Sequence, residues 1–151
     1  MKLSKTTTEE ISMKFVPSNH SFGGSALHLQ FTPKKRRKVF MQRFVKEACE
    51  ASFRQIAQHW GVSMEACDFG PDHCHIFLTH WKNFSIPQLA QFFKGASSNQ
   101  VRKDFGDVLE HYEMGDSFWS DGYFYETCGS VTAEARKYYI ERMQKKHWAN
   151  A

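Results

Sequence analysis

Residues 62–81, "VSMEACDFGPDHCHIFLTHW", limit the possible folds more than any other stretch of this chain. Two strand-like segments, "VSMEACDF" and "HCHIFLTHW", flank Gly70-Pro71-Asp72, residue types that break strands and favour turns. The pattern predicts a β-hairpin. Before it, Phe40, Phe44, Val45, Ala48, Phe53, Ile56, Ala57 and Trp60 recur at helical spacing, and Gly61 ends the run. After it, a second helix is predicted over about 86–105, with Pro87 near its first turn. "SALHLQFT" (Ser25 to Thr32) alternates Leu27, Leu29 and Phe31 with Ala26, His28 and Gln30, as a strand with one apolar face does. "YFYETC" (Tyr123 to Cys128) reads as a further strand. A last helix is predicted from Thr132, a good N-cap, through "AEARKYYIERMQKKHW". The predicted order is therefore β-α-β-β-α-β-α. Its first six elements match an α+β, ferredoxin-like or RRM-like unit, an antiparallel sheet with helices on one face. The seventh is a C-terminal, tyrosine-bearing helix. Residues 1–22 read as a polar N-terminal extension and 23–151 as a single domain without internal repeats.

The net charge of +4 is compatible with a nucleic-acid partner. Fourteen Phe, five Tyr and four Trp can fill a core, and such rings also stack on unpaired bases. Cys49, Cys67, Cys74 and Cys128 form no CxxC pair, and "MKLSKTTTEEISMKF" lacks the apolar stretch of a secretory signal. No segment approaches the ~20 apolar residues of a membrane span. The expectation is free thiols in a cytoplasmic protein with no membrane attachment.

On a strand, alternate side chains share a face, so His73 and His75 are neighbours while Cys74 points the other way. Two imidazoles placed like this can hold one divalent ion. Taken alone, the pair equally describes a turn-end histidine and an exposed one. His28 and His80 read as ordinary surface or packing residues. Gly95 lies inside the second helix, where glycine costs about 1 kcal/mol against alanine, which points to close approach by another backbone. Lys34, Lys35, Arg36, Arg37 and Lys38 are consecutive cations that suit either phosphate contact or a solvated loop. Lys94, Arg102 and Lys103 could extend such a surface or solvate a helix.

Four blocks stand in a fixed order: "FTPKKRRKV" from Phe31, "DHCH" from Asp72, "KGASSN" from Lys94, and "GYFYETCG" from Gly122 followed by "YIERM" from Tyr139. Together they resemble the small single-tyrosine HUH transposases of single-strand-transposing insertion sequences, relatives of the REP-associated tyrosine transposases. The resemblance covers about residues 25–145. It implies a homodimer that cuts and rejoins single-stranded DNA at hairpin-marked ends through a 5′-phosphotyrosine, with Mg²⁺ or Mn²⁺ as cofactor. It assigns the nucleophile to Tyr139 rather than Tyr138, and two metal ligands to His73 and His75. It also makes Lys34, Lys35, Arg36, Arg37, Lys38, Lys94 and Arg102 the DNA-binding set. Outside the resemblance, Tyr139 belongs to an apolar stripe with Ala135 and Met143 and would be core.

The chain departs from the family in two places. The family's two helix arginines are Ala96 and Asn99 here, and its third ligand, a glutamine four residues after the tyrosine, falls on Met143. Gln144 is the favoured replacement, with water or His147 as the other options. Two further functions fit the residues: an RRM-like binder of structured single strands that does not cleave, and an unrelated zinc enzyme using His73, His75 and a cysteine.

Overall fold

A computed structural model describes residues 25–128. The elements are β1 (Ala26–Phe31), α1 (Arg43–Trp60), β2 (Ser63–Gly70), β3 (His73–Thr79), α2 (Ile86–His111) and β4 (Phe124–Cys128). Short 3₁₀ turns cover Lys34–Arg36 and Val39–Met41. The four strands form one sheet in the order β2-β3-β1-β4, and each neighbouring pair is antiparallel. This is the expected α+β architecture. The N-terminal extension and the tyrosine-bearing helix, with Tyr139, Met143, Gln144 and His147, lie outside the described residues.

The hairpin is tighter than its sequence indicates. Gly70 pairs with His73, so Gly70 ends β2 and only Pro71 and Asp72 make the turn. Glycine is needed there for space. A Cβ on Gly70 would lie 2.8 Å from His73 Nε2 and 3.0 Å from its Nδ1.

The helices carry local stop and start signals. Gly61 adopts φ 72°, a left-handed cap whose N–H donates back to the Ala57 and Gln58 carbonyls. At the start of α2, Ser85 Oγ accepts from the Gln88 amide at 3.1 Å, and Gln88 Oε1 accepts from the Ser85 amide at 2.9 Å. The helix runs past its predicted end to His111, with a kink at Phe105.

Both helices pack on the face formed by Leu27, Leu29, Phe31, Phe69, Cys74, Ile76 and Leu78. Phe53 of α1 sits at the centre. Its ring stacks on Phe69 and Trp119, both at 6.3 Å, and meets Phe93 of α2 edge-on at 5.7 Å. Full burial of such a ring contributes about 1.5–3 kcal/mol. The predicted apolar stripe of α1 needs correction at its ends. The helix begins at Arg43, so Phe40 enters the core from a 3₁₀ turn while Phe44 is 60% exposed beneath the Arg43 guanidinium. Trp60 is also partly exposed and stacks on Phe92 at 4.3 Å. Gly95 is exposed as well, with nothing within 4 Å of a Cβ placed on it, so no described backbone approaches it closely.

Candidate active site

Strand alternation puts a second set of side chains on the sheet face away from the helices. By register they are Ala66 and Asp68 of β2, His73, His75 and Phe77 of β3, His28 and Gln30 of β1, and Phe124 and Glu126 of β4. His75 lies between Asp68 and Gln30, and Gln30 in turn lies opposite Phe124. The histidine pair therefore occupies the end of the sheet where β1 finishes and β3 begins.

The two rings are nearly perpendicular, with centroids 5.1 Å apart. His73 is buried, and its Nδ1 bonds Asp72 Oδ1 at 3.0 Å. His75 Nδ1 lies 2.8 Å from His28 Nε2, and these two rings stack at 5.0 Å. Each imidazole of the pair thus has Nδ1 committed to a neighbour, so Nε2 is the nitrogen suited to a shared ligand. An imidazole held through its other nitrogen by a carboxylate or a second polar group is the arrangement metal-binding histidines use, and this donor pair fits a divalent ion. Among the described residues no group of three or more His, Cys, Asp or Glu is arranged to hold a metal by itself.

Asp72 links the pair to the basic segment. Partial burial pushes its carboxyl up, but the hydrogen bond from His73 and the Arg36 guanidinium 3.3 Å away outweigh this, holding it below the ordinary carboxylate value. Lys35 and Arg36 themselves adopt left-handed backbone (φ 58° and 51°), an unfavourable conformation for residues with a Cβ. The turn is held by Lys34 N–H donating to the Phe118 carbonyl at 2.9 Å and by Ser120 N–H donating to the Thr32 carbonyl at 2.9 Å. Three blocks distant in sequence thereby meet at one end of the sheet.

The seven cations of the predicted DNA surface divide into two kinds. Lys35 and Lys38 are exposed, and Lys34 is half-buried. The other four are engaged within the chain. Arg36 pairs with Asp72 and Arg37 with Glu113, while Arg102 donates to the Asp116 carbonyl at 2.6 Å. Lys94 Nζ donates to the carbonyls of both Ser120 and Gly122 at 2.8 Å, and burial lowers its pKa. The loop that Lys94 holds forms one wall of a cleft of about 340 Å³ lined by Gln30, Thr32, Ser120, Asp121, Gly122, Tyr123 and Phe124.

Cys74 has no part in this face. It is fully buried on the helix side, as alternation requires, and burial pushes its thiol well above the ordinary value. The same holds for Cys49. The two thiols are thus separated from the histidines by the sheet itself. Sequence reasoning missed His28, which is neither a surface residue nor simple packing. The available signal was the alternation of β1, which places His28 and Gln30 on one face.

A family model described as "Transposase IS200 like" matches residues 21–143. The transposase for insertion sequence element IS200 of Salmonella typhimurium is 26% identical over 126 residues, covering 83% of this chain and 82% of the relative. The ISDra2 transposase TnpA of Deinococcus radiodurans is 26% identical over 119 residues, covering 79% and 84%. Among solved structures, a transposase from Deinococcus radiodurans superposes with a TM-score of 0.64 at 25% identity, over 83% of this chain and 95% of that one. The REP-associated tyrosine transposase bound to a REP hairpin shares the fold, with a TM-score of 0.60 at 11% identity over 86% and 73%.

Proposed function

Because the chain belongs to the family of IS200-like transposases, we propose that it cleaves and rejoins single-stranded DNA at hairpin-marked element ends through a 5′-phosphotyrosine on Tyr139. The observation that carries this reading is the pairing of His73 and His75 on one sheet face, each with Nδ1 committed. A Mg²⁺ or Mn²⁺ ion, when bound, supplies Lewis-acid polarisation of the scissile phosphate. His73 and His75 would hold that ion, with Gln144 the proposed third donor because its amide oxygen suits a hard cation.

The chain's own residues do the rest. The Tyr139 oxygen attacks phosphorus and the 3′-oxygen of the preceding nucleotide leaves, so the bond energy is kept in the phosphotyrosine and a later 3′-hydroxyl can reverse the step. Lys34, Lys35 and Lys38 supply positive charge along the strand's path. Arg36 and Arg37 add to the same charge field while holding their own carboxylate partners. In this reading Lys94 and Arg102 serve by shaping the loops beside the DNA. In this reading the active assembly is a homodimer.

The test uses labelled single-stranded DNA carrying the element's ends. The wild-type chain forms a covalent adduct with Mn²⁺ and none in EDTA, Tyr139→Phe forms none, and Tyr138→Phe keeps most of the yield. Full activity in EDTA, or loss in Tyr138→Phe instead, overturns the assignment. Mixing Tyr139→Phe with His75→Ala chains restores cleavage if each site takes its tyrosine from the partner. Hairpin binding with no adduct under any metal would select the non-cleaving binder, a reading that Met143 at the family's glutamine position favours.

A further inference from the structure

We propose that the cleft between the end of β1 and the start of β4 is a base-reading pocket. It takes one unpaired base of the bound DNA strand, stacks it on Phe124 and hydrogen-bonds its edge through Gln30 and Asp121. The inference rests on the single-stranded DNA reading of this face and deepens it, by naming the side chains that would select sequence.

Position is the first support. Gln30 is the register partner of His75 on one side and of Phe124 on the other, and all three share the histidine face. Neighbouring strands lie about 4.8 Å apart, so the cleft opens one strand away from the histidine pair. A nucleotide whose phosphate sits at that pair carries a base beside the cleft. The cleft's volume of about 340 Å³ is that of a small-ligand site.

The lining has the chemistry an unpaired base needs, which is one open ring face and a polar edge. Phe124 meets His28 edge-on at 6.4 Å and remains 57% exposed. Gln30 is half-buried at the floor, and Asp121 stands on the opposite wall. Among the described residues, neither side chain spends its polar atoms on a hydrogen bond within the chain. A carboxylate can only accept, whereas an amide both donates and accepts. The pair therefore suits a base with an exocyclic amine, adenine, cytosine or guanine, over thymine.

The wall at 120–122 is fixed in advance. Lys94 Nζ donates to the Ser120 and Gly122 carbonyls, both at 2.8 Å, and Ser120 Oγ donates to the Pro33 carbonyl at 3.1 Å. Gly122 takes φ 79°, which lets the chain turn from this wall into β4. A pocket shaped before its ligand arrives loses less freedom on binding.

The probe is the labelled end oligonucleotide, bound in EDTA by the full chain, with each unpaired base in turn replaced by an abasic site. Wild type should show one unpaired position where the missing base weakens binding by roughly 5–150-fold, the equivalent of one stacked base. The base there should carry an exocyclic amine. Phe124→Ala and Gln30→Ala should each shrink that penalty. Their affinity for the abasic probe itself should stay within about twofold of wild type, since the contact they remove is already gone. Thymine at the position should cost wild type roughly 2–12-fold, the range of one hydrogen bond. Asp121→Asn gains a donor and should lose that preference, and its exposed site leaves the sheet undisturbed. A flat abasic profile, a penalty undiminished in the variants, or thymine at the sensitive position overturns the proposal. A sensitive position in a chain that forms no adduct with Mn²⁺ leaves the pocket standing and refutes cleavage alone. No binding of the probe at all overturns both.

Discussion

Ser97 is fully buried inside α2, and its hydroxyl ties the helix backbone to a distant indole. It donates to the Phe93 carbonyl at 2.7 Å and accepts from Trp119 Nε1 at 2.9 Å. Ser97→Ala leaves a buried indole N–H with no acceptor, which costs about 1–3 kcal/mol. Urea unfolding of Ser97→Ala, Trp119→Phe and the double variant should show the double variant losing less than the sum of the singles. Asp72 gives a pH signature. Its carboxyl is held below the ordinary value, so the stability it contributes is fully present above a pH of about 4 and lost as pH falls through the lowered native value. Plotted against pH across the acid range, the melting temperature should therefore fall less steeply for Asp72→Asn than for wild type. Much of this residue-level detail was legible in the sequence, because strand alternation alone places His73 and His75 together and sends Cys74 away. His28 was not legible. Its bond to His75 joins residues 47 positions apart, and only the register of β1 against β3 brings them together.

Elements were readable wherever one face repeats. Periods of two and of 3.6 residues mark β1, β3 and both helices because burial imposes them. The readings failed where regular structure stops. Phe40 keeps the apolar rhythm of α1 yet reaches the core from a 3₁₀ turn, and Gly70 resembles a turn residue while serving as the seat of the His73 ring. Gly95 is the sharpest case, since glycine in a helix signals either close packing or tolerated looseness, and composition cannot distinguish them. Among the described residues the space around it is open. Gly95→Ala should therefore stabilise the domain by roughly 0.5–1 kcal/mol, read as a shift in urea midpoint at constant m-value. A loss of stability would mean that a neighbour outside residues 25–128 occupies the space. Phe53→Ala should go the other way by about 3–5 kcal/mol, since Phe69, Phe93 and Trp119 converge on its ring.

Across the whole molecule, the basic turn after β1 and the exposed Phe124 border the histidine end of the sheet. Replacing Lys35 and Lys38 together by alanine should weaken single-strand binding and reduce its salt dependence by about 0.7 in log–log slope for each phosphate no longer neutralised. Arg36→Ala should do more, because it also removes the ion pair that steadies Asp72. Phe124 is 57% exposed on the same face, and Phe124→Ala should cost about 1–3 kcal/mol of oligonucleotide affinity if a base stacks on it. The strand order has one more effect. Among the described residues β1 and β3 are the two inner strands, so the backbone at His28 and His75 is flanked by pairing partners on both sides and His73 pairs with Gly70 on one side, whereas β4 lies at the edge. In amide hydrogen exchange, Leu29 and Ile76 should exchange only through near-global opening, while Tyr125 to Thr127 exchange through cheap local fraying. The groups that need a fixed geometry thus sit in the slowest-opening part of the sheet, and the strand beside the cleft can yield to an arriving DNA strand without disturbing them.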